Sequence, residues 1–198
     1  MKTIFFDVDT QIDFLFPAGA LAVPGAASIV GYLFALTRFA AANGIQILST
    51  ADAHSEDDPE FKLWKPHCVV ETIGQRKISA TLLANPVVLT PHPGALDAIA
   101  DQIAGAVQII IEKQNIDCFT NGNLWPLLDS LHADRYVVYG VVSEVCVQYA
   151  AFGLLQTGAR VEVVTDAIKS LNAAKERDML ARFQAEGGAL TTAAGVTG

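Results

Sequence analysis

Short apolar runs alternate along this chain with longer amphipathic stretches, and that alternation predicts an architecture before any chemistry is considered. Thr3 to Phe6, Ile45 to Thr50, Val107 to Ile111, Tyr136 to Val142 and Val161 to Thr165 are nearly continuous apolar segments rich in β-branched and aromatic residues. Runs of this kind suit strands covered on both faces. Helices are expected between them, at about Ala26 to Ala42, Leu96 to Ile103, Leu124 to Leu131, Val145 to Gln156 and Ala173 to Glu186. The first of these follows Pro24-Gly25 and stops at Asn43-Gly44, where a left-handed cap forms easily. A short last strand is expected near Ala189 to Thr192. Strands separated by helical crossovers spell an α/β fold. No repeat, low-complexity tract or Pro/Gly linker divides the chain, so one domain over residues 1–198 is expected.

In open α/β sheets, ligands bind beyond the carboxyl ends of the strands. Asp7 and Asp9 follow the first predicted strand, Asp52 and His54 the second, Glu112 and Lys113 the third, and Ser143 to Cys146 the fourth. Four strand ends thus aim polar side chains at one edge.

Composition narrows the partners. The chain is 52% hydrophobic and 17% charged, yet no apolar run reaches the roughly 18 residues that a membrane span needs. The opening Met1-Lys2-Thr3 leads quickly into acids and lacks the layout of a secretory signal, so a cytoplasmic protein with no membrane association is expected. Three cysteines, Cys68, Cys118 and Cys146, cannot all pair, which favours free thiols in a reducing compartment. A net charge of −8, with 13 basic residues scattered and never clustered, argues against nucleic acid and for a small-molecule partner.

Cys146 is the best-placed nucleophile. Ser143 is a good N-cap after the Arg135 to Val142 run, which puts the thiol in the first turn of a helix. Unpaired backbone N–H groups there favour thiolate and can hold an oxyanion. A small buried core thiol is the competing reading. Asp9 and Lys113 offer a base and a charge that fixes it, although a solvated lysine is the commoner case. Asp52-Ala-His54, followed by Glu60 and His67, supplies two imidazoles and two carboxylates suited to a divalent ion, against the alternative of a polar surface loop in which Asp57 and Asp58 are solvated. Phe14 and Trp64 are either core or walls for a flat substrate. Asp13 reads as a local backbone cap.

The pair Asp7-Val8-Asp9 also suits an aspartate-dependent phosphatase. That reading fails at Gln11, where a hydroxyl is wanted, and at Val164-Thr165-Asp166-Ala167, which offers a single late acid. Nucleotide-binding glycine motifs are absent as well.

Three segments together resemble the isochorismatase-like cysteine hydrolases: Asp9-Thr-Gln-Ile-Asp-Phe14, Lys113 after its strand, and Gly140-Val-Val-Ser-Glu-Val-Cys146. The resemblance runs from about Thr3 to Ala167. It implies a three-layer α/β/α fold on a doubly wound, mainly parallel, six-stranded sheet. It implies a catalytic triad of Cys146 as nucleophile, Asp9 as base and Lys113 as their charge-fixing partner. It also implies a cis peptide between Val141 and Val142, and an oxyanion hole from the N–H groups of Val142 and Cys146.

Within that superfamily, Asp52, His54, Glu60 and His67, the last in Lys65-Pro66-His67, are similar to the metal ligands of nicotinamidases, and Phe14 and Trp64 to the aromatics around their substrate ring. The implied protein is a metal-dependent amidase with Zn, Fe or Mn that hydrolyses a carboxamide such as nicotinamide in NAD salvage, and a homo-oligomer. Where nicotinamidases often continue from the lysine with an aromatic, this chain reads Gln114-Asn-Ile116-Asp117-Cys118-Phe119. Asp117 is therefore expected in the pocket wall, favouring a polar or amine-bearing substrate. Another amide or ureide hydrolase of the superfamily, and a non-catalytic binding module, are the alternatives.

Overall fold

The computed structural model describes all of residues 1–198. Seven strands form one sheet: β1 (Thr3–Val8), β2 (Gln46–Asp52), β3 (Val87–Leu89), β4 (Gln108–Lys113), β5 (Arg135–Val141), β6 (Arg160–Lys169) and β7 (Ala189–Thr191), in spatial order β3-β4-β2-β1-β5-β6-β7. Every pairing is parallel. The expectation of six strands is corrected by β3, an edge strand of three residues between Pro86 and Pro91. So short a run carries no period that sequence can show.

Helices cover both faces. On one side α5 (Leu124–Leu131), α6 (Gln148–Leu155) and α7 (Ala173–Ala185) pack Leu124, Leu128, Leu154 and Phe183 against Ile4, Phe6 and Val138. On the other, α2 (Val30–Ala42) and α8 (Ala193–Thr197) pack against Phe5, Ile47, Val137 and Tyr139. Leu33, Leu36 and Ala40 recur at helical spacing, and all are fully buried. Burying each such leucine contributes about 1.5–3 kcal/mol. The stretch predicted as one helix from Ala26 begins with a 3-10 turn (Ala26–Ile29) before α2 proper, and Gly44 follows it with φ 65°. The predicted Leu96 to Ile103 helix is split into α3 (Ala95–Ala98) and α4 (Ala100–Ile103). A one-turn α1 (Ile12–Leu15) completes the set. No helix is long and apolar enough to cross a membrane.

β1 lies between β2 and β5, so the chain crosses to opposite sides of it, and the crevice at such a reversal is where α/β sheets bind ligands. Gly140, one residue from the end of β5, has φ 121°, and a Cβ there would fall 2.1 Å from the Val8 carbonyl oxygen. Only glycine lets β1 and β5 approach this closely beneath the crevice.

Candidate active site

The site begins with how each strand ends. β1 runs through Val8, and Asp9 leaves it with φ 49°, a left-handed conformation that Asp tolerates better than most residues. Thr50 of β2 holds it in place. The Thr50 hydroxyl donates to Asp9 Oδ1 at 2.6 Å, and the Asp9 N–H lies 3.2 Å from that hydroxyl oxygen. Lys113 closes β4 with its side chain fully buried, its Nζ 3.0 Å from Asp9 Oδ2 and 3.8 Å from Cys146 Sγ, and it also touches Asp52. After β5 the chain enters a wide helical turn, Ser143–Val147, that carries Cys146. The Val141–Val142 peptide is cis. Val145 and Val147 donate their N–H groups to the Val142 carbonyl.

Burial sets the protonation states. It raises Asp9 above the usual carboxylate value although Lys113 pulls it down. Asp52 is buried too, but Lys113, His54 and His67 hold its carboxyl well below the usual range. Between these two acids, Lys113 stays well above its ordinary value despite desolvation. The expected low-pKa thiolate at Cys146 is corrected: burial pushes the thiol well up, and Lys113 only partly opposes it. Desolvation of the sulfur, with the Asp9 and Asp52 carboxylates nearby, thus works against the thiolate that the helix terminus favours. Ser143 is not the cap either, since Val142 takes that position and the Ser143 hydroxyl donates to Glu176 at 2.6 Å.

Asp52, His54 and His67 bring one ligand atom each within 4.8 Å of one another, all buried. Their tautomers suit a metal. His67 Nδ1 faces the Lys65 carbonyl at 2.7 Å, so that nitrogen carries the proton and Nε2 is left as a lone pair. His54 Nδ1 lies 3.0 Å from Asp58 Oδ2, and both of its ring nitrogens, Nε2 included, are buried without a hydrogen bond. A buried, unpartnered imidazole nitrogen beside a carboxylate and a second imidazole fits a divalent ion such as zinc. Glu60 stands apart from this convergent trio. It is half-buried on the cavity wall, and burial together with Asp52 raises its pKa. Asp58, expected to be solvated, is buried and also caps the Pro59–Lys62 turn through the Glu60 N–H.

Asp9, Asp52, Glu60, His67 and Cys146 open on one cavity of about 80 Å³, walled by Phe14, Trp64, Ile116, Val142 and Leu171 among others. The Phe14 ring lies 5.3 Å from that of His67. Asp117 is not in this wall. Its carboxylate turns back to accept the Phe119 N–H at 2.9 Å and faces a separate surface groove, leaving Ile116 to line the cavity. The expected polar selection by Asp117 is thereby corrected.

The opening motif has structural duties that sequence reading did not assign. Gln11 pairs with the Asp52 backbone through both ends of its amide, each at 2.8 Å. Asp13 accepts the N–H groups of Cys68, next to His67, and of Ala20. Its reach across two loops exceeds a local cap. The spacing of Asp58 four residues after His54 and directly before Pro59 was the available signal for that residue.

Solved structures share this fold. The pyrazinamidase of Pyrococcus horikoshii, determined in complex with zinc, is 24% identical with a TM-score of 0.80, covering 97% of this chain and 99% of that one. N-carbamoylsarcosine amidase from Thermoplasma acidophilum is 23% identical with a TM-score of 0.77, covering 98% and 97%. PnC1 of L. infantum, in complex with nicotinate, is 22% identical with a TM-score of 0.76, covering 98% and 94%. Comparison with curated proteins finds no match. The description Isochorismatase domain matches residues 3–195. With only a few residues at either end outside that match, the chain belongs to the isochorismatase family of hydrolases.

Proposed function

We propose that this protein is a metal-dependent cysteine amidohydrolase that converts nicotinamide, or a similar heteroaromatic carboxamide, to the acid and ammonia. The observation that carries the reading is Lys113, which contacts Asp9, Asp52 and Cys146 at once and so ties a thiol and its base to a metal-ligand trio on one small cavity. The likeness to a zinc-bound pyrazinamidase and to a nicotinate complex supports the same chemistry. A ureide hydrolase resembling the N-carbamoylsarcosine amidase would have a carboxylate-bearing substrate to hold. The cavity lining contains no Lys or Arg to pair with one, which favours a neutral ring.

Asp9 takes the thiol proton as Cys146 Sγ attacks the carbonyl carbon, and the N–H groups of Val142 and Cys146 hold the resulting oxyanion. Asp9 returns that proton to the nitrogen as the C–N bond breaks, releasing ammonia and leaving a thioester. It then removes a proton from water, whose attack yields the acid and restores the thiol. Lys113 keeps Asp9 oriented through both halves. Phe14 and Trp64 flank the ring and exclude water. When bound at Asp52, His54 and His67, a divalent ion supplies a Lewis-acid anchor for a ring lone pair.

The test is ammonia release from nicotinamide by purified protein before chelation, after it, and after metal restoration. Release that vanishes and returns with the metal is expected. Absence of release from a metal-loaded protein would overturn the substrate assignment, and full activity in Cys146→Ala would overturn the mechanism.

A further inference from the structure

Leu171 is the one exposed residue in the cavity lining, at 46% relative exposure, and it sits in the short connection between β6 and α7 rather than in a regular element. An exposed leucine on a loop has little of its own packing to hold it over a cavity. What holds it is Glu144. The Glu144 Oε1 atom accepts the N–H groups of Leu171 at 3.1 Å and of Asn172 at 2.8 Å. Asn172 in turn caps α7 by accepting from the N–H groups of Ala174 and Lys175. The adjacent Ser143 hydroxyl reaches Glu176 in the first turn of α7. Two successive residues of the turn that carries Cys146 thus grip the segment that carries Leu171, and nucleophile and rim are joined as one piece.

We propose that Glu144 is a positioning residue that fixes Leu171 as a size-selecting rim over Cys146. The carboxylate is built for this task, because one oxygen accepts both N–H groups while the other, Oε2, is buried without a partner. The rim selects by blocking bulk near the thiol, so substrates with small flat heads pass and those with substituents on that side do not. This rests on Cys146 being the reacting group but not on which carboxamide is cleaved, and the test therefore reads access to the thiol rather than turnover.

The experiment compares alkylation of Cys146 by iodoacetamide and by the bulkier N-phenylmaleimide, located by peptide mass, in the full chain and in Leu171→Ala, Glu144→Ala and Glu144→Gln. In the native protein iodoacetamide is expected to be favoured. Leu171→Ala should lower the ratio of small to bulky rates by about tenfold or more, since even one methylene changes discrimination in a pocket by about that much. Glu144→Ala should lower it similarly, and adding it to Leu171→Ala should change little more. Glu144→Gln keeps the Oε1 acceptor and should keep the native ratio, which a general structural role for the carboxylate would not predict. Leu171→Ala alters an exposed side chain and so tests the rim without endangering the fold. An unchanged ratio in Leu171→Ala, or a Glu144→Gln protein that behaves like Glu144→Ala, would overturn the proposal. A shifted ratio in a protein that releases no ammonia from nicotinamide would support the rim while sinking the substrate reading.

Discussion

Lys113 Nζ stands 3.0 Å from Asp9 Oδ2 with both side chains out of solvent, while the same ammonium touches Asp52. One buried cation therefore compensates two buried carboxylates, one assigned to the base and one to the metal. Replacing it by methionine keeps the stem and removes the charge, leaving both acids uncompensated. Breaking a buried ion pair from one side costs about 3–5 kcal/mol. Lys113→Met should lose that order of stability in urea denaturation, and kcat/KM should fall by about 10²–10⁴, the range for losing control of a proton-transfer group. Native stability with full turnover would mean that Lys113 is not the hub of the site.

The pH dependence follows from Asp9. Burial raises its pKa above the ordinary 3.8, so turnover should fall on the acid side through a pKa higher than a solvated aspartate shows. For stability the sign is opposite to that of a salt-bridged acid. A raised folded pKa gives a contribution that is complete below the unfolded value and lost as pH rises through the folded one. Asp9→Asn should remove that loss between the two values and abolish turnover together. A pH–rate profile for the native protein and denaturation series at several pH values for both proteins check this. An acid limb at or below the ordinary value would contradict the base assignment.

Asp9, Asp52 and Cys146 stood out in the sequence because α/β sheets gather function at strand ends, and a run of apolar residues shows where a strand stops; His67, in the long loop after β2, stood out only through the cluster of possible ligands and the family resemblance. Other features depend on how loops fold back, which local pattern does not encode. Asp58 looks like one more acid in Ser55-Glu-Asp-Asp58 until the fold presses it against His54. Asp117 lies close to Lys113 in sequence, yet the chain has left the sheet by then and its carboxylate is spent on the Phe119 N–H. The Cys146 thiol shows how competing effects are decided. Its place in a first helical turn points to thiolate, but the helix end offers a modest stabilisation and full burial opposes it more strongly.

Metal affinity should depend on residues behind the ligands. The Asp58 carboxylate lies 3.0 Å from His54 Nδ1, and Gln11 fixes the Asp52 backbone through paired 2.8 Å hydrogen bonds. Removing such supporting contacts typically weakens metal binding by about 10–100-fold. Asp58→Ala and Gln11→Ala should each do so in competition titrations with a chromophoric chelator, a readout independent of turnover. Unchanged affinity in both would show that the trio is organised without them, and a native protein that takes no metal from the chelator would show that the trio does not hold one.

The first acid of the chain separates structure from chemistry. Asp7 is wholly buried, its Oδ2 2.8 Å from Lys77 Nζ, and it accepts from the Thr10 hydroxyl at 2.9 Å and the Ser49 hydroxyl at 3.2 Å. Lys77 is itself buried and also donates to Thr10, so the pair pins the segment after His67 onto β1. None of these groups lines the cavity that holds Asp9 and Cys146. Asp7→Ala strands a buried ammonium and should cost about 3–5 kcal/mol, whereas the joint change Asp7→Leu with Lys77→Met should recover much of it, because an apolar pair has no charge to desolvate. In both, kcat per folded molecule should stay near the native value. A variant that keeps its stability but loses kcat would instead place Asp7 in the chemistry, and would reopen the reading of Asp7-Val8-Asp9 as a catalytic pair.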